Sequence, residues 1–337
     1  MSLGWDLIDS LVEAAQECHG EPSPLLELLR TSAQDPPIPG RGQTLGLWEL
    51  LATLGSIDLV AARAVEPHLD AAAILAQAGI RWTPGTSWGV FAAEGQRKLA
   101  ATAPAEPSAS WNLAGEKPWC SLAGTLDHAV VTAHVPGGRR AFSVDLKQPG
   151  VSPHAGTWTS HGLHRIPSEA VSFDQVPATP VGATDWYLDR PGFAVGGVAV
   201  AACWFGGAVG IFRTLFAAAQ AREPDQLALA WLGEADRLLA AGATALHVAA
   251  QSADAGTLDW VTAQRVRGLV AGICERLITL AGQSLGPAPL GFDHSHAQRI
   301  ADLGIYLRQH HAARDDAALG TLLLEASGST DKGIGPW

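Results

Sequence analysis

The chain has 337 residues, with 33 Asp and Glu against 22 Lys and Arg, a formal charge of −11. Apolar residues make up 47% and charged residues 16%, so the chain can bury a large core, is not disordered, and suits two or three domains at this length. The acidic balance, with 18 Arg and 4 Lys scattered singly, excludes the basic surface of a nucleic-acid binder. Cys18, Cys120, Cys203 and Cys274 lie far apart with no C-x-x-C, which signals neither a zinc site nor a disulfide framework. The start, MSLGWDLIDSLVEAAQE, has no basic stretch followed by an apolar one. The expectation is a cytoplasmic protein without a signal peptide.

The first third reads as helix. Leu25–Leu29 is a short apolar stretch, and Asp35–Gly42 is a loop whose three prolines fix φ and deny backbone donors. Thr44–Val65 has apolar residues at Leu47, Leu50, Leu51 and Leu54, a helical spacing, and Asp70–Ala78 adds an alanine-rich piece. From about Trp82 the composition turns to Val, Thr, Trp, Gly and Pro. Asp127–Val135 alternates, with Ala129, Val131, Ala133 and Val135 on one face. Pro136-Gly137-Gly138 is a turn, and Arg140–Leu146 is the return strand. Val171–Phe173 suggests a further strand.

After Pro191 the pattern predicts helices to the end: Phe193–Ala221, Gln226–Ser252, Leu258–Leu280 and His296–Leu324. Gln283–Asp293 interrupts them with Gly and Pro, and Ser327–Trp337 is expected to fray. Pro191–Phe212 carries no charge and is long enough to span a bilayer, and Gly206-x-x-x-Gly210 has the form of a membrane helix contact. Six glycines and the lack of a flanking basic cluster favour a helix buried in a large bundle, with no membrane. Helices, then strands, then long helices argue against a βαβ alternation.

No Walker loop, G-x-G-x-x-G after a strand, G-x-S-x-G or H-E-x-x-H is present. Asp293, His294, His296 and His310 are a conceivable ligand set, but His294 and His296 read better as polar residues at a helix start, and no metal is expected. In WNLAGEKPWCS a strand presents Trp119 and, two residues on, Ser121. Alternation puts them on one face, where a ring and a hydroxyl suit a planar polar heterocycle, although Trp on a β face is more often core.

Taken in order, WNLAGEKPWCSLAG, Asp127-His128-Ala129, Gly162-Leu163, Val171–Pro177, Gly207–Gly210, Gln283–Pro287 and Arg299…Asp302…Ile305-Tyr306 make the chain resemble the acyl-CoA dehydrogenase superfamily of flavoproteins over nearly its whole length. The resemblance implies an α+β fold: a helical amino-terminal domain (1–85), a middle β-sandwich or barrel domain (86–185), a carboxyl-terminal four-helix bundle (186–326) and a flexible tail (327–337). It implies FAD between the β domain and the carboxyl helices. Trp119 would pack on the isoalloxazine and Ser121 would hydrogen-bond near N5. Gln283 and Gly286 would meet the ADP half across a subunit interface, in a homodimer or homotetramer. Arg222 stands where the family often places a diphosphate-contacting arginine, without the usual Phe-Gly after it.

Two departures bear on function. The family's Thr-Glu-Pro-x-x-Gly-Ser-Asp loop should fall near Phe91–Gly95, and only Glu94 matches it. The family's catalytic glutamate aligns with His310, and the alternative position, around Val200, has no ionisable group. The resemblance therefore implies α,β-oxidation of an acyl thioester-like substrate such as an acyl-CoA, with His310 as the base and an unidentified electron acceptor. A flavin monooxygenase of the same fold using His310, or a non-catalytic binding or assembly partner, are the alternatives.

Overall fold

The computed structural model describes residues 5–32, 34–104, 110–221 and 223–328. Four helices come first: α1 (Ile8–Glu17), α2 (Ser23–Thr31), α3 (Thr44–Ile57) and α4 (Leu59–Gln77). The helix expected over Thr44–Val65 is thus two. Asp58 adopts an extended conformation, and its carboxylate accepts from the Val60 N–H at 2.8 Å. An aspartate in that role ends one helix and caps the next. Asp70–Ala78 is the end of α4 rather than a separate piece.

Seven strands follow, all in one sheet: β1 (Trp88–Phe91), β2 (Leu99–Thr102), β3 (Trp111–Ser121), β4 (His128–Val135), β5 (Gly138–Asp145), β6 (Val151–Pro153) and β7 (Ser168–Val181). β4 and β5 form the expected hairpin, in register from His128 opposite Asp145 to Val135 opposite Gly138. Both faces of β4 are covered. Ala129, Val131 and Ala133 join the main core, while Val130 joins a second core with Trp88 and with Ala71, Ile74 and Leu75 of α4.

The rest is helical: α5 (Trp186–Asp189), α6 (Gly192–Ala221), α7 (Gln226–Asp254), α8 (Trp260–Leu285), α9 (Ala288–Phe292), α10 (His294–Tyr306), a 3-10 turn (Leu307–Gln309) and α11 (Ala313–Gly328). The single helix expected over His296–Leu324 is broken at His310–Ala312, where Ala312 has φ 49°. The Asp315 carboxylate accepts from the His311 N–H at 3.1 Å, so a side chain supplies the acceptor where the helix is interrupted. The tail expected to fray, Ser327–Trp337, lies mostly at 329–337, outside the described residues.

Among the described residues α6 is the one helix long and apolar enough to cross a membrane, and it is largely buried inside the fold. Its glycines explain how. A Cβ at Gly55 of α3 would stand 2.6 Å from the Cys203 carbonyl oxygen of α6, and one at Gly206 would collide with the Ala52 carbonyl of α3. The small-xxx-small pair lets two backbones touch. Gly→Ala usually stabilises a helix interior by about 1 kcal/mol. Gly206→Ala should instead lower stability by about 1–3 kcal/mol, because the obstacle is backbone. A thermal midpoint that is unchanged or raised would refute the close approach.

Candidate active site

β3 does not alternate cleanly to its end. A bulge interrupts its pairing with β7 between Lys117 and Cys120, and Trp119 takes the left-handed φ of 59°. Such a conformation costs a non-glycine residue about 1–3 kcal/mol and is retained where the surroundings enforce it. The bulge separates the two side chains that alternation had placed together. Trp119 is 59% exposed, edge-on to Trp158 at 6.4 Å between ring centroids. Ser121 turns inward, its Oγ 2.7 Å from that of Ser168.

Ser121 meets α4. Arg63 Nη2 donates to Ser121 Oγ at 2.9 Å, and Nη1 pairs with Glu66 Oε2 at 3.2 Å. Arg63 also lies over the Tyr306 ring, at 5.6 Å. Glu66 is buried, and burial pushes its carboxyl up to about 7, with Arg63 working against the rise. The Tyr306 hydroxyl is buried, and the thiol of Cys203 on α6 is its neighbour. On the β1 side of Arg63, a cavity lined by Pro67, Trp88, Phe91, Ser121 and Leu126 has only about 10 Å³. That is too little for a water molecule with room to spare.

Arg63, Glu66 and Asp70 escaped the sequence reading. The signal was available: three charged residues at spacings of three and four, on one stripe of an otherwise apolar helix.

His310 lies in the break between α10 and α11. Its ring is edge-on to Trp204 at 6.4 Å, and Trp204 is edge-on to Tyr306 at 6.3 Å. Those two rings lead from Arg63 to the histidine. The Ala312 N–H donates to His310 Nδ1 at 3.2 Å, and Nε2 faces Asp315 Oδ2 at 3.8 Å. The assigned neutral tautomer therefore carries its proton on Nε2. Burial holds the imidazole pKa below its ordinary value; Asp315 raises it and Arg267 lowers it. Arg267, stacked over Trp204 at 4.9 Å, donates to the Gln309 carbonyl at 3.4 Å and so holds the turn before His310.

The other expected contacts are dispersed. Gln283 is exposed near the end of α8, and Gly286 is its C-cap with φ 66°. Neither shares a hydrogen bond or ring contact with Trp119 or Ser121. Arg222 lies outside the described residues. Asp293 caps α10 by accepting from the His296 N–H at 3.1 Å and from Ser295 Oγ at 2.8 Å. Among the described residues no three His, Cys, Asp or Glu side chains converge on one point. Glu94 accepts from buried Lys117 at 3.0 Å and pairs with His134 at 2.8 Å and Arg139 at 3.3 Å. Burial alone would raise its carboxyl; the Lys117 charge and the hydrogen bonds from His134, Lys117 and Arg139 hold it below the ordinary value. This pins the loop after β1 to the sheet.

These residues suit the edge of a flavin ring. Trp119 offers an exposed aromatic surface with the half-buried Trp158 edge-on to it, Ser121 a hydroxyl, and Arg63 a cationic donor.

The Glu66 carboxyl has an ordinary value of 4.5 and a folded value of about 7. The fold favours the protonated form, so this contribution is fully present below pH 4.5 and declines as pH rises to about 7. Glu66→Gln should remove that decline. The difference in Tm between variant and wild type should move in the variant's favour across this range. A difference constant with pH would show that Glu66 titrates normally.

No protein-family model matches the sequence, and no curated protein matches it. Solved structures do. KijD3 in complex with FMN and dTDP-3-amino-2,3,6-trideoxy-4-keto-3-methyl-D-glucose superposes with a TM-score of 0.76 at 20% identity, covering 95% of this chain and 91% of KijD3. TdsC from Paenibacillus sp. A11-2, a dibenzothiophene monooxygenase solved with FMN and indole, gives 0.78 at 15%, covering 95% and 96%. Butyryl-CoA dehydrogenase from Megasphaera elsdenii gives 0.79 at 16%, covering 95% and 98%. At these identities the likeness speaks for the fold. The chain has the fold of the acyl-CoA dehydrogenase-like flavoproteins.

Proposed function

We propose that the protein is a flavin-dependent oxidoreductase whose cofactor ring lies against Trp119, between β3 and the carboxyl helices. The observation that carries this reading is the indole itself: a large apolar ring held in a left-handed backbone conformation and left 59% exposed, two residues before Ser121 on β3. A stacked ring would cover it and gain about 0.5–1.5 kcal/mol beyond the area buried. Flavin, when bound, supplies an acceptor or donor of hydride. The chain's part is to stack the ring on Trp119, to present Ser121 and Arg63 to its edge, and to line the floor with Tyr306 and Trp204. FAD follows if Gln283, Gly286 and Arg222 meet an adenosine half across a subunit interface; otherwise FMN suffices. The homodimer or homotetramer this needs would cover the exposed apolar residues Leu227, Leu229 and Val248 of α7.

Oxidation at a CH–CH bond of an acyl thioester is the first form of this reading. It gives His310 a base's role, although its Nδ1 already accepts a backbone N–H and its Nε2 carries the proton. The second form is an FMN-dependent monooxygenase, in which a histidine that donates from Nε2 has a use. That donor geometry, and the FMN bound in KijD3 and TdsC, favour it.

Titration of the purified protein with FMN and with FAD, followed by visible absorption and flavin fluorescence, tests the reading. At least one should bind. Trp119→Ala should weaken binding by about tenfold, the equivalent of about 1.4 kcal/mol. Bleaching of the bound flavin by acyl-CoAs selects the dehydrogenase. Oxygen-dependent turnover with reduced FMN selects the monooxygenase, and His310→Ala should then abolish turnover with flavin still bound. No binding of either flavin sinks the oxidoreductase reading and leaves the non-catalytic binding or assembly role.

A further inference from the structure

Beside the narrow crevice where α4 meets β1 and β3 stands a carboxyl that the family resemblance does not account for. Glu66 faces inward from α4 and pairs with Arg63, whose other arm reaches Ser121. We propose that Glu66 is the proton-exchanging carboxyl of this crevice, and that its charge state, carried by Arg63, sets the electrostatic potential at Ser121 and at the ring edge beside it. This rests on the flavin reading above and names the group that would adjust the site.

Three observations carry it. First, neither position where the resemblance looks for a carboxylate has one: the aligned residue is His310, and Val198–Ala202 has no ionisable side chain. Second, His310 is poorly placed to take a proton, because a backbone N–H occupies Nδ1 and the tautomeric proton occupies Nε2. Third, the groups around Glu66 pull in opposite directions, with burial prevailing. Arg63 on its own helix and Arg267 on α8 favour the carboxylate, while Asp70 on α4 and burial favour the acid. Cys203 of α6, Tyr306 of α10 and Tyr187 of α5 also feel its charge, and burial keeps all three protonated.

The electrostatic consequence follows from distance. With Glu66 neutral, Arg63 presents an uncompensated positive charge 2.9 Å from Ser121 Oγ. With Glu66 ionised, the pair is nearly neutral as seen from the ring. Two charges a few ångströms apart interact strongly where little water intervenes. A proton on one carboxyl oxygen is therefore felt at the hydroxyl two bonds and two contacts away. Arg63 acts here as the positioning residue.

The test uses full-length protein loaded with FMN or FAD, whichever it retains, with visible absorption recorded from about pH 5 to 9. The expected result is a one-proton spectral shift with a midpoint near 7, absent in Glu66→Gln with flavin still bound and present in Glu66→Asp. Arg63→Gln keeps the carboxyl but removes a neighbour that favours its ionised form, so the midpoint should move upward. That variant keeps the test decisive if Glu66→Gln does not fold. A flavin-bound wild type with no shift overturns the proposal, as does a shift that survives Glu66→Gln or an unmoved midpoint in Arg63→Gln. A shift lost in His310→Gln and kept in Glu66→Gln assigns the proton to the histidine and also overturns it. Wild type that binds no flavin overturns this proposal together with the oxidoreductase reading, whereas the other adverse outcomes leave that reading standing.

Discussion

A guanidinium held between a carboxyl and a hydroxyl, with almost no water around it, governs the centre of this molecule. Arg63 joins Glu66 on its own helix to Ser121 on β3 and covers the ring of Tyr306 on α10. Three layers of the fold meet at that one side chain. A buried ion pair adds little net stability, because desolvation offsets most of the attraction, but removing one partner strands a charge at about 3–5 kcal/mol. Similar pairings repeat along the same helix, where Arg190 reaches Asp70 at 3.5 Å and Gln77 at 3.0 Å.

The walls around that contact are set by backbone. α3 and α6 approach through Gly55 and Gly206, which leaves α6 as the axis on which α4, α7, α8 and α10 pack. The β sheet is tied to α10 from the other side. The Leu163 N–H donates to Asp302 at 2.5 Å, and a Cβ at Gly162 would collide with the Ala301 carbonyl. The loop after β6 is therefore held against α10, and it places Trp158 beside Trp119, with Trp158 Nε1 donating to the Leu163 carbonyl at 3.1 Å. The aromatic edge of the crevice follows from contacts made some distance away.

Some of this was legible in the residues. The β4–β5 hairpin and the long helices after Pro191 come from local pattern, period two in one and an apolar stripe in the other. The breaks were less visible. Asp58 sits within an apolar periodicity that runs straight through it, and only its own capping bond marks the division. At His310–Ala312 the helical pattern also continues, while the chain turns because Asp315 captures a backbone N–H. Glu94 matched a flavin loop by position, yet Lys117, His134 and Arg139 hold it at the sheet.

By itself the sequence determined the order of helices and strands and the burial of an uncharged helix, because these depend on neighbours within a few positions. Tertiary structure decided which way Trp119 and Ser121 point. The bulge in β3 belongs to its pairing with β7, some fifty residues on, and no local period encodes it. It also decided that Arg63 and Glu66 stand at the crevice, since a charged stripe on a helix acquires meaning only from what packs over it. The proton on His310 was settled in the same way, by a backbone N–H that reaches Nδ1 only where the helix has already broken.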